Sequence, residues 1–244
     1  MDPAHSIPST VTEIGDRAFL GSMMEMVGIP ASVVTIGDDA FSGCMGVYFA
    51  DNAQLETIGD RAFSDMSDYS DVYIPASVVT IGEEAFVNCG FVHFAEDARL
   101  ETIGERAFFD LPEPPSMIPA SVKTIGREAF DTGSDENFFI WMEVKGYNPA
   151  NIGPCAFGPG DLVLGDSKIF VPAGTASIYK QAWPEYARFI VSQDGPTNIT
   201  GTVAEGKRQH GVFTLDGRQL RSNADTSGLP AGLYIVNGRK VAVK

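Results

Sequence analysis

The residue types that could carry acid, base or nucleophilic chemistry are present but badly placed for it. The three histidines stand at His5, His93 and His210, in the N-terminal tail, mid-chain and the C-terminal region, too scattered to propose a triad. No Gly-x-Ser-x-Gly, phosphate loop, His-Glu-x-x-His or Gly-x-Gly-x-x-Gly with a following helix occurs. Asp65, Asp68 and Asp71 raise the question of calcium. Their spacing does not follow the Asp-x-Asp-x-Asp-Gly loop, and a solvated acidic loop is the better account. Cys44, Cys89 and Cys155 form no Cys-x-x-Cys or Cys/His spacing. The residues therefore predict no catalytic centre, no metal and no cofactor.

The elements that must position any site are set by a repeat. Ile-Gly-x-x-Ala-Phe begins at Ile14, Ile36, Ile58, Ile81, Ile103 and Ile125, with a looser copy at Ile152. The first six copies are 22 residues apart except for one interval of 23, within the range of leucine-rich-repeat solenoids. Stacked coils offer a long surface rather than a single cleft. The two x positions are usually charged, as in Asp38-Asp39, Glu83-Glu84, Glu105-Arg106 and Arg127-Glu128. A carboxylate pair that returns once per coil reads as a water-facing edge, not as paired catalytic acids.

In the commonest form of the unit, Ile-Pro (Ile29-Pro30, Ile74-Pro75, Ile118-Pro119) ends a short strand, because proline has no N–H for the ladder. In Ile-Gly-x-x-Ala-Phe the Ile, Ala and Phe fall at i, i+4 and i+5, which predicts one helical turn with those three on its inner face. The glycine permits either a tight backbone or a close coil-to-coil contact. Two units replace Ile-Pro by Phe49-Ala50 and Phe94-Ala95 and place Leu55 and Leu100 inward, which makes part of the array a two-coil superrepeat. Cys44 and Cys89 take equivalent places two coils apart. At about 4.8 Å per coil they lie near 10 Å, beyond the roughly 7 Å limit for a disulfide, and read as small buried residues.

Residues 1–194 are accordingly read as the solenoid, with Ile169-Phe170-Val171-Pro172, Tyr179 and Trp183 in a C-terminal cap over 167–191. After Gly195-Pro196 the pattern changes. Val212–Leu215 faces Arg218–Leu220 across Asp216-Gly217, and Gly232–Val236 faces Lys240–Val243 across Asn237-Gly238, two strong hairpin signals. The expected fold is an α/β solenoid, a right-handed leucine-rich-repeat superhelix of about eight coils with short parallel strands and short helical turns. A small all-β, sandwich-like domain over 195–244 follows it.

Charge is uneven. Residues 1–194 carry a net −19 and 195–244 a net +4, within a total of −15. An acidic repeat array repels phosphate backbones, which argues against nucleic-acid binding. No apolar run approaches the roughly 18 residues of a membrane span. Met1-Asp2-Pro3-Ala4-His5 has no basic stretch followed by an apolar core. The first repeat starts at Ile7 without a cap, so the native product is expected to begin earlier and to have been trimmed.

The unit Ile-Pro-Ala-Ser-Val-Val-Thr-Ile-Gly-Asp-Asp-Ala-Phe-Ser-Gly-Cys at 29–44 resembles the BspA-like leucine-rich repeat family, over roughly residues 6–190. The stretch from Ile169 through Tyr179, Trp183 and Ile190 is similar to the segment that closes such arrays in Bacteroidetes proteins. The tail, with Gly211–Arg218 and Leu229–Gly238, resembles the C-terminal sorting domains of type IX secretion cargo. These resemblances imply a secreted or outer-surface bacterial protein, some relatives being implicated in adhesion, and supply no catalytic residues.

A binding role then falls to the strand face. Alternation from the residue before each Ile-Pro aligns Tyr48, Tyr73 and His93 on three successive coils, with Glu143 and Phe170 further along and Trp141 sharing the parity of Glu143. Exposed aromatics in this arrangement are favoured anchors for a protein partner and can also stack on the sugar rings of a glycan. Two other accounts stand beside these: cross-strand aromatics that only stabilise the sheet, and a solenoid that serves as an architectural spacer.

Overall fold

The computed structural model describes residues 7–66, 70–95, 97–133, 140–159 and 163–193, together with the backbone of the strands Val212–Phe213, Gln219–Arg221, Gly232–Val236 and Arg239–Val243. Two compact units divide the chain, Met1–Gly195 and Pro196–Lys244. The first is a β-solenoid of about eight turns. Its backbone is organised by the motif Ile, which ends a two-residue strand in seven successive coils. Glu13–Ile14, Thr35–Ile36, Thr57–Ile58, Thr80–Ile81, Thr102–Ile103, Thr124–Ile125 and Asn151–Ile152 form one seven-stranded parallel sheet, Ile opposite Ile throughout.

The expected helical turn is corrected here. Instead of bonding within a helix, the Phe N–H donates to the Ala carbonyl of the next coil at Phe19–Ala40, Phe41–Ala62, Phe63–Ala85, Phe86–Ala107, Phe108–Ala129 and Phe130–Ala156, each at 2.8 Å. An isolated helical turn fixes several dihedrals for one hydrogen bond, whereas an extended turn shared between coils pairs the same amides at every repeat. The second x residue accommodates this by adopting left-handed backbone. Arg17, Asp39, Arg61, Glu84, Arg106, Glu128 and Cys155 have φ between 52° and 58°. The single α-helix among the described residues is Ala176–Ala182.

The inward face is as expected. Ile36, Ile58, Ala40, Ala62, Phe41 and Phe63 are fully buried, and their equivalents are nearly so except in the end coils, where Ala18 is exposed and Phe19 and Ile152 are half-buried. The phenylalanine rings form an uninterrupted stack from Phe19 through Phe41, Phe63, Phe86, Phe108 and Phe130 to Phe157, with centroids 5.0–5.7 Å apart. Rings offset in this way gain beyond the area they bury. Cys44 and Cys89 lie in the same core and none of the three cysteines is disulfide-bonded.

From Gly37 onward the motif glycines pack against the backbone of the preceding coil. A Cβ on Gly82 would sit 2.7 Å from the Gly59 carbonyl carbon and 2.7 Å from the Asp60 nitrogen. Close approach, not positive φ, explains this glycine. At the C-terminal end Phe157 meets Trp183 and Tyr186 with ring centroids 5.4 and 5.1 Å away. Their polar tips are bound to the backbone of the last coils: Trp183 Nε1 donates to the Ala150 carbonyl and Tyr186 Oη to that of Gly158. Aromatic bulk thus covers the last ring of the stack without leaving a polar atom unpaired.

In the second unit the four strands make one antiparallel sheet, ordered Gln219–Arg221, Val212–Phe213, Gly232–Val236, Arg239–Val243. Both hairpin pairings read from the sequence are present. Asp216-Gly217 and Asn237-Gly238 lie outside the described residues, and a second sandwich layer is not seen among the described ones.

Candidate functional site

The strand face that precedes each Ile-Pro is not one ladder, which corrects the expectation of a continuous stripe. It is divided into Val27–Ile29 with Val47–Phe49, Asp71–Ile74 with Phe91–Phe94, and a four-stranded set, Met117–Ile118, Trp141–Val144, Lys168–Val171 and Ile190–Ser192. Both breaks fall where a proline in the next coil removes a donor, although Pro172 removes the equivalent donor to the Val144 carbonyl and leaves its strand pair intact. Ala50 N–H donates to the Ile29 carbonyl across the first pair, and Lys145 N–H does the same for Ile118. Where the next coil carries Pro75 or Pro119, the donor that would reach the Phe49 or Phe94 carbonyl does not exist.

On the middle pair the side chains alternate cleanly. Val72, Ile74 and Val92 are buried, while Asp71, Tyr73, Phe91 and His93 face out. Tyr73 and His93 are directly opposite in register. Their rings stack with centroids 4.7 Å apart at 26°, and His93 Nε2 stands 2.8 Å from Asp71 Oδ1. Tyr73 is 65% exposed and Phe91 40%. The result is an aromatic patch with a carboxylate at its edge. Asp71 and Phe91 escape a reading that aligns one position per strand, whereas residues two before the same anchor share its face.

Tyr48 goes elsewhere. It pairs in register with Gly28, and a Cβ on Gly28 would fall 2.5 Å from the Tyr48 hydroxyl oxygen, so the phenol lies over that glycine. It is half-buried and, among the described residues, makes no ring stack with Tyr73. Trp141 and Phe170 belong to the four-stranded set, Trp141 opposite Lys168 and Phe170 opposite Glu143. Their rings meet edge to face at 5.0 Å. Together with Ser116, Glu143, Ser192 and Gln193 they line an open concavity of about 460 Å³. Glu143 accepts from Gln193 Nε2 at 2.5 Å and pairs with Lys145 Nζ at 2.8 Å. Lys145 beside it, assisted by the Gln193 amide, holds its carboxyl below the ordinary range against the opposing effect of burial. Gln193 carries no signal in the sequence, since it follows the last strand rather than preceding an Ile-Pro.

The other candidates do not converge. Asp65 accepts from Asn88 Nδ2 and Asp71 pairs with His93, while Asp68 lies outside the described residues, as do His5 and His210. Among the described residues no three His, Cys, Asp or Glu side chains are grouped as metal ligands would be. Burial pushes the Cys89 thiol up to about 11, the opposite of a reactive thiolate. Cys155 is partly exposed, its sulfur 4.0 Å from Glu185 Oε1.

A parallel strand per coil, a 22-residue period and an unbroken Phe stack describe a repeat array, and the array can be matched as one. Residues 4–113 carry six copies of the BspA type leucine rich repeat region. No curated protein matches the chain. The Tyr48, Tyr73 and His93 positions all fall within the matched BspA type repeats, whereas Trp141, Glu143 and Phe170 lie beyond them. Solenoids of such repeats present extended surfaces for recognition, and no helix among the described residues is long and apolar enough to cross a membrane.

Proposed function

We propose that this chain is a non-catalytic interaction module that binds a protein partner through the strand face of its BspA type repeats. The observation that carries this reading is the Tyr73–His93 stack with Phe91 beside it, held on a rigid sheet and left facing solvent. Aromatic side chains lose little conformational freedom on binding and dominate the energetics of interfaces. Tyr48 takes the equivalent strand position one coil away, folded over Gly28, and is included in the test for that reason. The test is replacement of Tyr48, Tyr73 and His93 together by Ala, with the whole chain used to capture proteins from host extracellular and bacterial surface preparations. Proteins retained by the unmodified chain should be lost by the triple variant at an unchanged melting temperature. Equal capture by both sinks the reading.

We further propose that the protein works outside the cell, as an exported product of a Bacteroidetes-type bacterium. Support comes from the likeness of residues 211–238 to sorting tails and of residues 169–190 to the segment that closes such arrays in Bacteroidetes proteins. Fractionation of cells making the native gene product is the test: recovery from the medium or outer surface supports export, and recovery from the cytosol alone refutes it.

A further inference from the structure

The concavity at the C-terminal end of the strand face has a different chemistry from the Tyr73 patch. It is lined by the Trp141 indole, 67% exposed, which meets the Phe170 ring edge to face at 5.0 Å. Its rim is polar and pre-arranged. The Glu143 carboxylate is gripped from two sides by Lys145 and Gln193, and the side chains of Ser116 and Ser192 complete the lining. A volume of about 460 Å³ is within the range of small-molecule sites.

Charge and polarity narrow the occupant. The Glu143 charge is already balanced by Lys145, which weakens its pull on a second cation. An anion would approach an array whose first 194 residues carry a net −19, an unfavourable field. An apolar side chain would cover the indole but would also desolvate a carboxylate and an amide without replacing their hydrogen bonds, which costs free energy. A neutral sugar ring satisfies both surfaces. Its C–H face covers the indole, and its hydroxyls donate to Glu143, which has acceptor sites left after two donors, and exchange hydrogen bonds with Gln193 and the two serines.

We propose that this concavity binds a neutral hexose unit of a glycan, stacked on Trp141 and hydrogen-bonded by Glu143 and Gln193. The inference does not rest on the protein-binding reading, since it uses none of the same residues. The experiment is titration of the whole chain with a panel of neutral oligosaccharides (gluco-, manno-, galacto- and xylo-series), read by tryptophan emission. The chain contains Trp141 and Trp183 alone. Trp183 is only 1% exposed, so a ligand-induced blue shift reports Trp141.

At least one neutral oligosaccharide should shift the emission, with an affinity little changed up to about 0.5 M salt. Trp141→Ala should lower that affinity about tenfold or more, and Gln193→Ala should lower it by a smaller factor. The double variant Tyr73→Ala/His93→Ala should leave it intact, which separates this site from the protein-binding face. Gln193→Ala trims a single exposed amide and decides the matter if Trp141→Ala fails to fold. Any of four results overturns the proposal: no shift with any neutral glycan, salt-sensitive binding of acidic glycans alone, undiminished affinity in both variants, or a loss of self-association in Trp141→Ala that shows a second copy to be the occupant.

Discussion

The Arg61 guanidinium grips the Asp39 carboxylate with two prongs, Nε to Oδ1 at 2.8 Å and Nη2 to Oδ2 at 3.1 Å, across one full coil. It belongs to a column of alternating sign. Arg17 and Arg61 flank Asp39, and Arg106 lies between Glu84 and Glu128 at 2.9 and 3.6 Å. Every member has left-handed backbone, so the column joins the coils at the points where local conformation costs most, about 1–2 kcal/mol per residue. Arg61 beside it holds the Asp39 carboxyl below its ordinary value of 3.8. A carboxyl depressed in the folded state contributes stability above its unfolded value, and that stability is lost as pH falls through the folded one. Asp39→Asn should therefore cost up to about 1 kcal/mol at neutral pH. The deficit should shrink as pH falls from 3.8 and vanish below the lowered folded-state value, where both forms are neutral. Thermal melts of the two proteins across that interval check it.

Phe63 is the third ring of the stack, fully buried between Phe41 and Phe86 and touched edge-on by Phe49. Phe63→Ala should cost about 3–5 kcal/mol. Because each coil contacts only its neighbours, the cavity also weakens the coupling between the two halves of the array. Denaturant unfolding should show a lower midpoint and a broader transition; an unchanged curve would contradict the continuous core.

Gly82 has normal backbone but no room. Gly82→Ala places a methyl against the Gly59–Asp60 peptide, which cannot retreat without breaking the seven-stranded sheet. A loss of about 1–3 kcal/mol follows. At Glu84, where φ is 54°, Gly would relieve strain while giving up the ion pair to Arg106. Thermal melts of the two variants side by side check this: Gly82→Ala should be the clearly destabilised one, and an unchanged melting temperature for it would contradict crowding at this glycine.

The Tyr186 hydroxyl donates to the Gly158 carbonyl at 2.7 Å and accepts from the Phe157 N–H at 3.2 Å in a fully buried site. Tyr186→Phe keeps the ring packing on Phe157 and leaves both backbone groups without a partner. A penalty of about 1–3 kcal/mol is expected. Hydrogen exchange at the Phe157 amide should accelerate more than at Phe63; equal protection at both would show that the hydroxyl is not what secures the end of the stack.

The inward residues were legible because burial follows period. Ile, Ala and Phe at fixed offsets every 22 residues leave no other face for a core, and the two hairpins of the tail were equally readable from Asp-Gly and Asn-Gly. Helical spacing in Ile-Gly-x-x-Ala-Phe was misleading, since i, i+4 and i+5 share a side in a helical turn and also at the corner of a β-coil. What separates the two is whether the Phe amide finds a carbonyl in its own turn or in the next coil. The column of alternating charge was visible in principle, as Arg17, Asp39, Arg61, Glu84, Arg106 and Glu128, but carries meaning only once those positions are known to be stacked.

By itself, then, the order of residues determined that this protein is a repeat solenoid and which side chains fill it, because hydrophobic burial depends on pattern and not on detail. Only the tertiary structure decided what the surface presents. The strand face is cut into three, at Pro75 and Pro119 but not at Pro172; Tyr48 drops over Gly28 while Tyr73 stacks on His93; and Gln193, 50 residues downstream of Glu143, closes the rim around Trp141. These outcomes depend on individual hydrogen bonds and on side chains meeting from distant coils, which periodicity does not encode.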